Sequence, residues 1–577
     1  MTIAPTAARR RLELVALFVA SGCAVLYPHV IAWRRYGDAA PFKFFANDAF
    51  YYLNVAQRST GLPVFSYDGV HPTNGFHPLW QWVLSGAFGA AHWSIGSRQE
   101  LFFAYAACAL FCAVGTGLTA LAIERWTGSL ALSLFAAVPG FYDLFLARIT
   151  TSTVDPTESA PWSFVNGMET GLSVLFFGVL LLLLARSPAI GRMSRARLLV
   201  VSALVSAAIL SRLDDVFLLV ALSLAVWNAA RTRSNEEVAT RLALLGGLPA
   251  AVLAAYLAYN VRTTGMLLPV SGDTKRSLHA LSENLHALAQ VFIPTLQWRG
   301  SNLAAWDGHA WRAVQLVAPL LVASVYLVAH RRERAHRPET EGTHVALRAL
   351  ATYVVLKAAY DFVLVPVAAQ GHWYFPLAIV TTNVIVTTWI AERVSPAAFH
   401  GRLDRIGAAV ACLFAVVSGN AVVNQRVDGH YGDVAYTFWA ARDRIDAEIA
   451  GMGASGHLYE YDDGILGFSL KDPTMSATGL AVDREASSQF RAGRCFDVAY
   501  ERHFDVMSSV TYWSYLDEQQ QGWDHPADEA GILRATLGPE AAWFTGCGAA
   551  RFRFRLLGNI PLGRTEIHLV KFEPKSS

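Results

Sequence analysis

Nine long apolar stretches constrain this chain more than anything else in it: residues 12–33, 100–124, 128–147, 169–187, 241–260, 312–331, 345–366, 373–391 and 406–424. Each approaches or exceeds the roughly 20 residues that a helix needs to cross about 30 Å of hydrocarbon. Two shorter runs, 197–211 and 215–230, sit back to back around Arg212-Leu213-Asp214-Asp215. They are expected to form a helical hairpin with its turn at one face of the bilayer. The predicted fold class is therefore an α-helical multi-pass membrane protein of about eleven spans. Composition agrees: 54% of the 577 residues are apolar and only 16% are charged, outside the range of an ordinary soluble domain.

Basic residues set the expected orientation. Arg9-Arg10-Arg11, the loop Arg186 to Arg197, Arg231 and Arg233, and the run His330 to Arg334 all fall on one side if the N-terminus is cytoplasmic. Segment 78–96 then cannot cross and is placed as a juxtamembrane or re-entrant helix on the outer face. The N-terminal apolar run is too long for a cleaved leader, and no small-residue cleavage site follows it.

Charge divides the chain in two. Residues 425–577 hold 15 basic and 22 acidic residues, while residues 1–424 hold 32 and 23. The tail, 425–577, is expected to be a soluble α+β domain outside the membrane, since an odd number of spans separates it from the N-terminus. Short apolar runs at 551–557 and 566–570 suggest strands, and 436–451 suggests a helix. Cys495 and Cys547 are the tail's two cysteines: a disulfide in an oxidising compartment is one reading, two buried thiols the other.

The chemistry concentrates in the outer loop 34–99. It holds Asn47-Asp48-Ala49-Phe50-Tyr51-Tyr52-Leu53, then Phe65-Ser66-Tyr67-Asp68-Gly69-Val70-His71-Pro72-Thr73-Asn74-Gly75-Phe76-His77-Pro78-Leu79-Trp80. Asp68-Gly69 and Asn74-Gly75 are turn signals, so the loop is folded. Ordering so long a loop is costly unless it binds something or packs on the bundle.

A first span, an acidic residue just beyond it, an aromatic helix, and a second loop helix opening with a basic residue before proline together resemble the GT-C superfamily of integral-membrane glycosyltransferases. That superfamily includes protein O-mannosyltransferases and lipid A aminoarabinose transferases. Asn166-Gly167-Met168-Glu169-Thr170, Ser211-Arg212-Leu213-Asp214 and Pro269-Val270-Ser271-Gly272 belong to the same pattern, which covers most of residues 12–425. The resemblance implies transfer of a sugar from a polyprenyl-phosphate carrier to a glycan, lipid or protein acceptor on the outer face. A prenyl phosphate is already a competent leaving group. Such a reaction needs a base for the acceptor proton and cations for the departing phosphate.

Asp48 matches the family's catalytic acidic position and is assigned as general base; capping the helix 49–58 is its structural alternative. Many relatives carry two acidic residues there, and this chain has Asn47 in the first place. Glu169 is the second acidic candidate: it would orient the acceptor, hold a divalent ion (Mg or Mn) with Asp48, or cap its own helix. His77 occupies the family's phosphate-contacting basic position, provided it is protonated or donates a hydrogen bond. Arg212 binds phosphate or pairs with Asp214 or Asp215. Lys275 and Arg276, after Pro269-Val270-Ser271-Gly272, suit an anion nest or a solvated loop face. Asn47, Tyr51 and His71 are counted with the carrier site. His372 and Tyr374 contact carrier or sugar, or belong to an interfacial aromatic belt. Lys357 and Asp361, four residues apart within an apolar span, are expected to pair. Asp462-Asp463-Gly464 is a plain turn or a site for an ion or a sugar.

The sequence contains no CxxC or HExxH motif and no GxGxxG after a strand, and topology explains its basic runs without nucleic acid. A non-catalytic transporter or lipid-carrier-binding assembly factor is the competing class. A transporter, however, should show two related halves with polar residues at mid-membrane. Here the unusual polar residues gather toward the outer face.

Overall fold

The computed structural model describes residues 7–60, 62, 64–138, 164–230, 234–277, 279–292, 303–330, 341–366, 374, 376–393, 402–424, 432–453, 457–460, 464–512, 546–562 and 565–575. The first part is helical. Its helices are α1 (Ala7–Tyr36), α2 (Asn47–Arg58), α3 (Pro78–Ala91), α4 (Arg98–Thr127), α5 (Leu130–Ala137), α6 (Thr170–Ala185), α7 (Arg195–Ser211), α8 (Val216–Ala230) and α9 (Asn235–Thr264). They continue with α10 (Val270–Lys275), α11 (Ala280–Phe292), α12 (Leu303–Ala329), α13 (Glu341–Leu364), α14 (Pro376–Arg393) and α15 (Arg402–Val422).

Eleven spans are not confirmed. Four helical stretches among the described residues are long and apolar enough to cross a membrane: Ala8–Ala39, Arg98–Thr127, Asn235–Thr264 and Leu403–Asn420. Helices α6, α7 and α8 are 16, 17 and 15 residues long, short for a full crossing. Helix α13 has the length, with 24 residues, but carries Arg348, Lys357 and Asp361 within it. The anticipated span 128–147 appears only as α5, its remainder lying outside the described residues. The hairpin does form, as α7 and α8 joined by a single tight turn, Leu213–Asp215. Segment 78–96 holds the 14-residue α3, too short to cross. On α15, Leu403, Ile406, Val410, Leu413 and Val417 form an exposed apolar stripe at helical spacing, the surface expected to face lipid.

The tail begins with α16 (Asp433–Ala440) and α17 (Arg442–Gly451), which together account for the expected helix. There follow β1 (Leu458–Glu460), α18 (Ile465–Ser469), β2 (Thr474–Ser476), α19 (Arg484–Arg491), α20 (Cys495–Glu501), β3 (Val506–Tyr512), β4 (Phe552–Leu562) and β5 (Thr565–Pro574). The sheet order is β2-β1-β3-β5-β4, parallel across β2-β1-β3 and antiparallel across β3-β5-β4. Strand alternation divides its side chains. Tyr459, Met507, Val570 and Phe572 pack with Phe496 of α20 in a core of the tail's own. Leu458, Val506, Ile567 and Leu569 face the other way and join the core that runs through α2 and the helical bundle. The tail is thus seated on the outer loop through an apolar face. Cys495 and Cys547 are joined in a disulfide.

Candidate functional site

The site forms where α2, α6, α7 and the short α10 meet. Helix α2 starts after Ala46, whose backbone N–H donates to the Asn166 carbonyl at 2.9 Å. That bond ties the head of α2 to the segment 164–169. Trp80 Nε1 donates to the Gly167 carbonyl at 3.1 Å, and Cys108 Sγ to the Met168 carbonyl at 3.2 Å. Gly167 has a φ of +83°, and a Cβ there would lie 2.7 Å from the Phe45 ring and 2.8 Å from Ala49 Cβ. On the other side of Glu169, a Cβ on Gly171 would sit 2.5 Å from the Cys108 carbonyl oxygen. Gly167 leaves room for the Phe45 and Ala49 side chains, Gly171 lets backbone approach backbone, and Glu169 is buried between them.

Glu169 does not cap α6 with its side chain. Its Oε1 accepts from Arg212 Nη1 at 3.0 Å and its Oε2 from the Tyr52 hydroxyl at 2.9 Å. The same hydroxyl accepts the His77 backbone N–H at 3.1 Å. Burial and the neighbouring Glu169 carboxylate push the Tyr52 phenol well above its ordinary range. His77 Nδ1 accepts the Leu213 backbone N–H at 3.4 Å, which leaves Nε2 to carry the ring proton, 3.6 Å from Glu169. Burial lowers the His77 pKa more than Glu169 raises it, so the ring is neutral. His77 is thereby a hydrogen-bond donor and not the cation that the protonated alternative requires.

Arg212 is 4% exposed and adds Asp214 to Glu169, with Nε 3.0 Å from Asp214 Oδ1. Asp214 also pairs with Lys357 at 2.5 Å, and Lys357 with Asp361 at 2.9 Å, so the anticipated Lys357–Asp361 pair is part of a larger network. Asp215 turns instead to the Tyr353 hydroxyl, at 2.7 Å. An arginine in so apolar a setting needs such partners.

Asp48 is the second residue of α2, behind an Ala46 cap that makes no side-chain bond, so it is not the helix cap. Its side chain is 20% exposed, with Oδ2 3.4 Å from Lys275 Nζ. Burial pulls the Lys275 ammonium down, but Tyr374 and Asp48 outweigh it and the group stays charged. The Tyr374 ring lies 4.8 Å from the Arg212 guanidinium and 5.7 Å from Lys275 Nζ, so one aromatic face links the two cations. Lys275 is delivered by α10, which Asn74 clamps: its Oδ1 accepts from Val270 N at 3.1 Å and its Nδ2 donates to the Leu268 carbonyl at 3.2 Å. From the tail, Arg491 pairs with Asp273 at 2.7 Å. The segment 270–275 is helical through Gly272, so it does not make the anticipated anion nest.

The remaining candidates go elsewhere. Arg276 turns away from Lys275 to the Tyr360 hydroxyl, at 2.7 Å. His71 belongs to a turn built by Asp68, whose Oδ2 lies 2.6 Å from His71 Nδ1 and whose Oδ1 accepts from the His71 and Val70 backbone. Burial raises the Asp68 pKa, but the hydrogen bonds from His71 more than offset it, and the carboxyl stays below its ordinary range. The Tyr51 hydroxyl meets Thr478 of the tail at 2.9 Å. Asn47 is exposed at the first position of α2. His372, Asp462 and Asp463 lie outside the described residues. Sequence reasoning missed Tyr52, although it stands four residues after Asp48 and so on the same helix face.

No protein-family model matches the chain, and no curated protein matches it. Solved structures of similar shape include the crystal structure of ArnT from Cupriavidus metallidurans bound to undecaprenyl phosphate, at 13% identity and a TM-score of 0.46, covering 96% of this chain and 97% of that one. The apo state of the same ArnT matches at 14% identity and a TM-score of 0.39, covering 97% and 98%.

Proposed function

We propose that this chain is a membrane glycosyltransferase that moves a sugar from a polyprenyl-phosphate carrier to an acceptor on the extracytoplasmic face. One observation carries the reading: a half-buried carboxylate, Asp48, lies against Lys275, beside a second, fully buried pair of Glu169 and Arg212, with the Tyr374 ring shared by both cations. The GT-C-like motifs hold Asp48, Glu169 and Arg212 in three separated segments, and Lys275 follows a fourth. The Cys495–Cys547 disulfide supports a tail in an oxidising compartment, and an odd number of crossings would then put the N-terminus in the cytoplasm, in keeping with an inner-membrane location.

In this reading the two pairs divide the work. Glu169, Arg212 and Tyr52 are positioning residues; they hold His77 and the head of α2 in place and are already committed to one another. Lys275 is the mobile cation. Its contact with Asp48 is long at 3.4 Å, so a phosphate oxygen can replace the carboxylate as its partner. Asp48, released, accepts the proton of the acceptor hydroxyl. The acceptor oxygen bonds to the anomeric carbon, the carbon–phosphate-oxygen bond breaks, and its electron pair leaves on the polyprenyl phosphate beside Lys275 and the Nε2–H of His77. A single displacement inverts the anomeric centre. A divalent ion shared by Asp48 and Glu169 does not suit the donor set, since both Glu169 oxygens already accept, from Arg212 and Tyr52.

The test is transfer from polyprenyl-phosphate-linked sugars in proteoliposomes. Lys275→Ala is expected to raise the apparent KM for the carrier and lower kcat, while Arg276→Ala leaves both near wild type. Equal losses in the two variants would remove Lys275 from this role.

A further inference from the structure

The ends of α12, α13 and α14 remote from this site hold a second cluster that the reaction does not use. His330 follows α12, His344 lies in the first turn of α13, and Glu392 is next to last in α14. Their ligand atoms all lie within 4.8 Å of one another. Along α13, His344 is about 20 Å from Lys357 at 1.5 Å per residue, so the two clusters sit toward opposite ends of one helix. The geometry points to a divalent transition-metal site, of the zinc class, that clamps these three helix ends.

Three features carry this. First, His330 Nδ1 lies 3.1 Å from the Tyr326 carbonyl, which can only accept, so Nδ1 bears the proton. That leaves Nε2 as the ring atom that faces Glu392. A metal-ligating histidine typically donates its other N–H to a backbone carbonyl in this way. Second, the separations are wrong for direct pairing. His330 Nε2 is 3.5 Å from Glu392 Oε2, and His344 Nδ1 is 3.6 Å from Glu392 Oε1. Charge-assisted hydrogen bonds close to roughly 2.7–2.9 Å. Ligands around a tetrahedral ion with bonds of about 2.0–2.2 Å stand roughly 3.4 Å apart. Third, two imidazole nitrogens and a carboxylate whose two oxygens each face one of the histidines form a donor set suited to zinc or its first-row neighbours, with room for water to complete the coordination. The Tyr326 ring stacks on His330 at 4.1 Å and Trp389 packs against it at 6.2 Å, which gives the cluster an apolar wall. No lysine or arginine pairs with Glu392 among the described residues.

The role is structural. A metal here fixes the register of α12, α13 and α14; Tyr374 lies just before the far end of α14, and Lys357 and Asp361 lie toward the far end of α13.

The experiment is elemental analysis of tag-free protein in detergent after dialysis against zinc and then against metal-free buffer. About one equivalent of zinc per chain is expected to remain. His344→Ala and Glu392→Gln should each lose most of it, and His279→Ala, an exposed histidine elsewhere, should keep it. Should either ligand variant fail to fold, chelator-stripped wild type is titrated with cobalt(II). Saturable visible absorption typical of tetrahedral cobalt, together with a rise in melting temperature, supports the site. Wild type that retains no more zinc than His344→Ala, or stripped protein that takes up cobalt without visible bands, overturns it. Neither readout depends on sugar transfer, so the metal site and the proposed reaction fail or stand separately.

Discussion

Among the described residues, two buried glutamates each accept the hydroxyl of a tyrosine from the outer loop. Glu169 takes Tyr52 and Glu460 takes Tyr67, at 2.9 and 3.1 Å. Their other partners differ. Glu169 faces the Arg212 guanidinium, whereas Glu460 meets the Leu466 and Gly467 backbone N–H groups and the Tyr67 and Thr474 hydroxyls, with no cation paired to it among the described residues. Burial pushes the Glu460 carboxyl up to about 8, with the hydrogen bonds pulling only part of the way back. The contrast separates two uses of a buried acid. A cation makes Glu169 an electrostatic anchor at the site. Neutral donors alone make Glu460 a latch between β1, α18 and the outer loop, seated best when protonated.

The largest consequence falls on Arg212. Arg212→Ala leaves Glu169 buried without its cation, and the expected loss is about 3–5 kcal/mol. Thermal unfolding in detergent measures it, and adding Glu169→Gln should recover part of the loss. Tyr52→Phe comes next. It removes a hydrogen bond to an ion-paired acid and strands the His77 backbone N–H, for an expected cost of about 1.5–3 kcal/mol. If Arg212→Ala and Tyr52→Phe both prove neutral, the anchor is not one.

Glu460 supplies the opposite pH dependence. Its folded pKa of about 8 lies above the ordinary 4.5. Between those values the native state holds a proton that the unfolded chain has released, so this group lowers stability as pH rises from 4.5 to 8 and is level above. Asp68, with its folded pKa depressed, works in reverse: its contribution is full at neutral pH and lost as pH falls through the acid range. A melting-temperature series across pH 5 to 9 should therefore slope downward in wild type, and less so in Glu460→Gln. The smallest effect is expected for Tyr67→Phe, about 0.5–1.5 kcal/mol, the scale of a single hydrogen bond between uncharged groups.

Much of this was legible in the sequence, for reasons that differ by residue. Hydropathy reveals a helical bundle because lipid demands long apolar runs. It leaves the number of crossings unsettled because a 16-residue apolar helix such as α6 and a charged one such as α13 blur the length rule. Asp48, Glu169 and Arg212 stand out as charges set against apolar segments. Lys275 and Arg276 look equivalent in sequence, and only the helical turn of α10 sends one to Asp48 and the other to Tyr360. Tyr52 hides among aromatic neighbours, since nothing local distinguishes a core tyrosine from one that hydrogen-bonds to a distant acid. The His330, His344 and Glu392 group escapes any motif scan because three helices contribute one ligand each. Of the tail's strands, β4 and β5 were visible as short apolar runs and β1 to β3 were not, and the face that seats the tail on α2 depends on strand order, which local pattern does not encode.

The central claim is that Asp48 takes the acceptor proton while Lys275 balances the leaving phosphate. The most direct measurement is single-turnover transfer from a polyprenyl-phosphate-linked sugar by Asp48→Asn, alongside equilibrium binding of polyprenyl phosphate to the same protein. The account predicts a rate lower by about 10²–10⁴-fold with carrier binding retained or tightened, because Lys275 loses its competing carboxylate. Transfer at the wild-type rate with binding intact would contradict it.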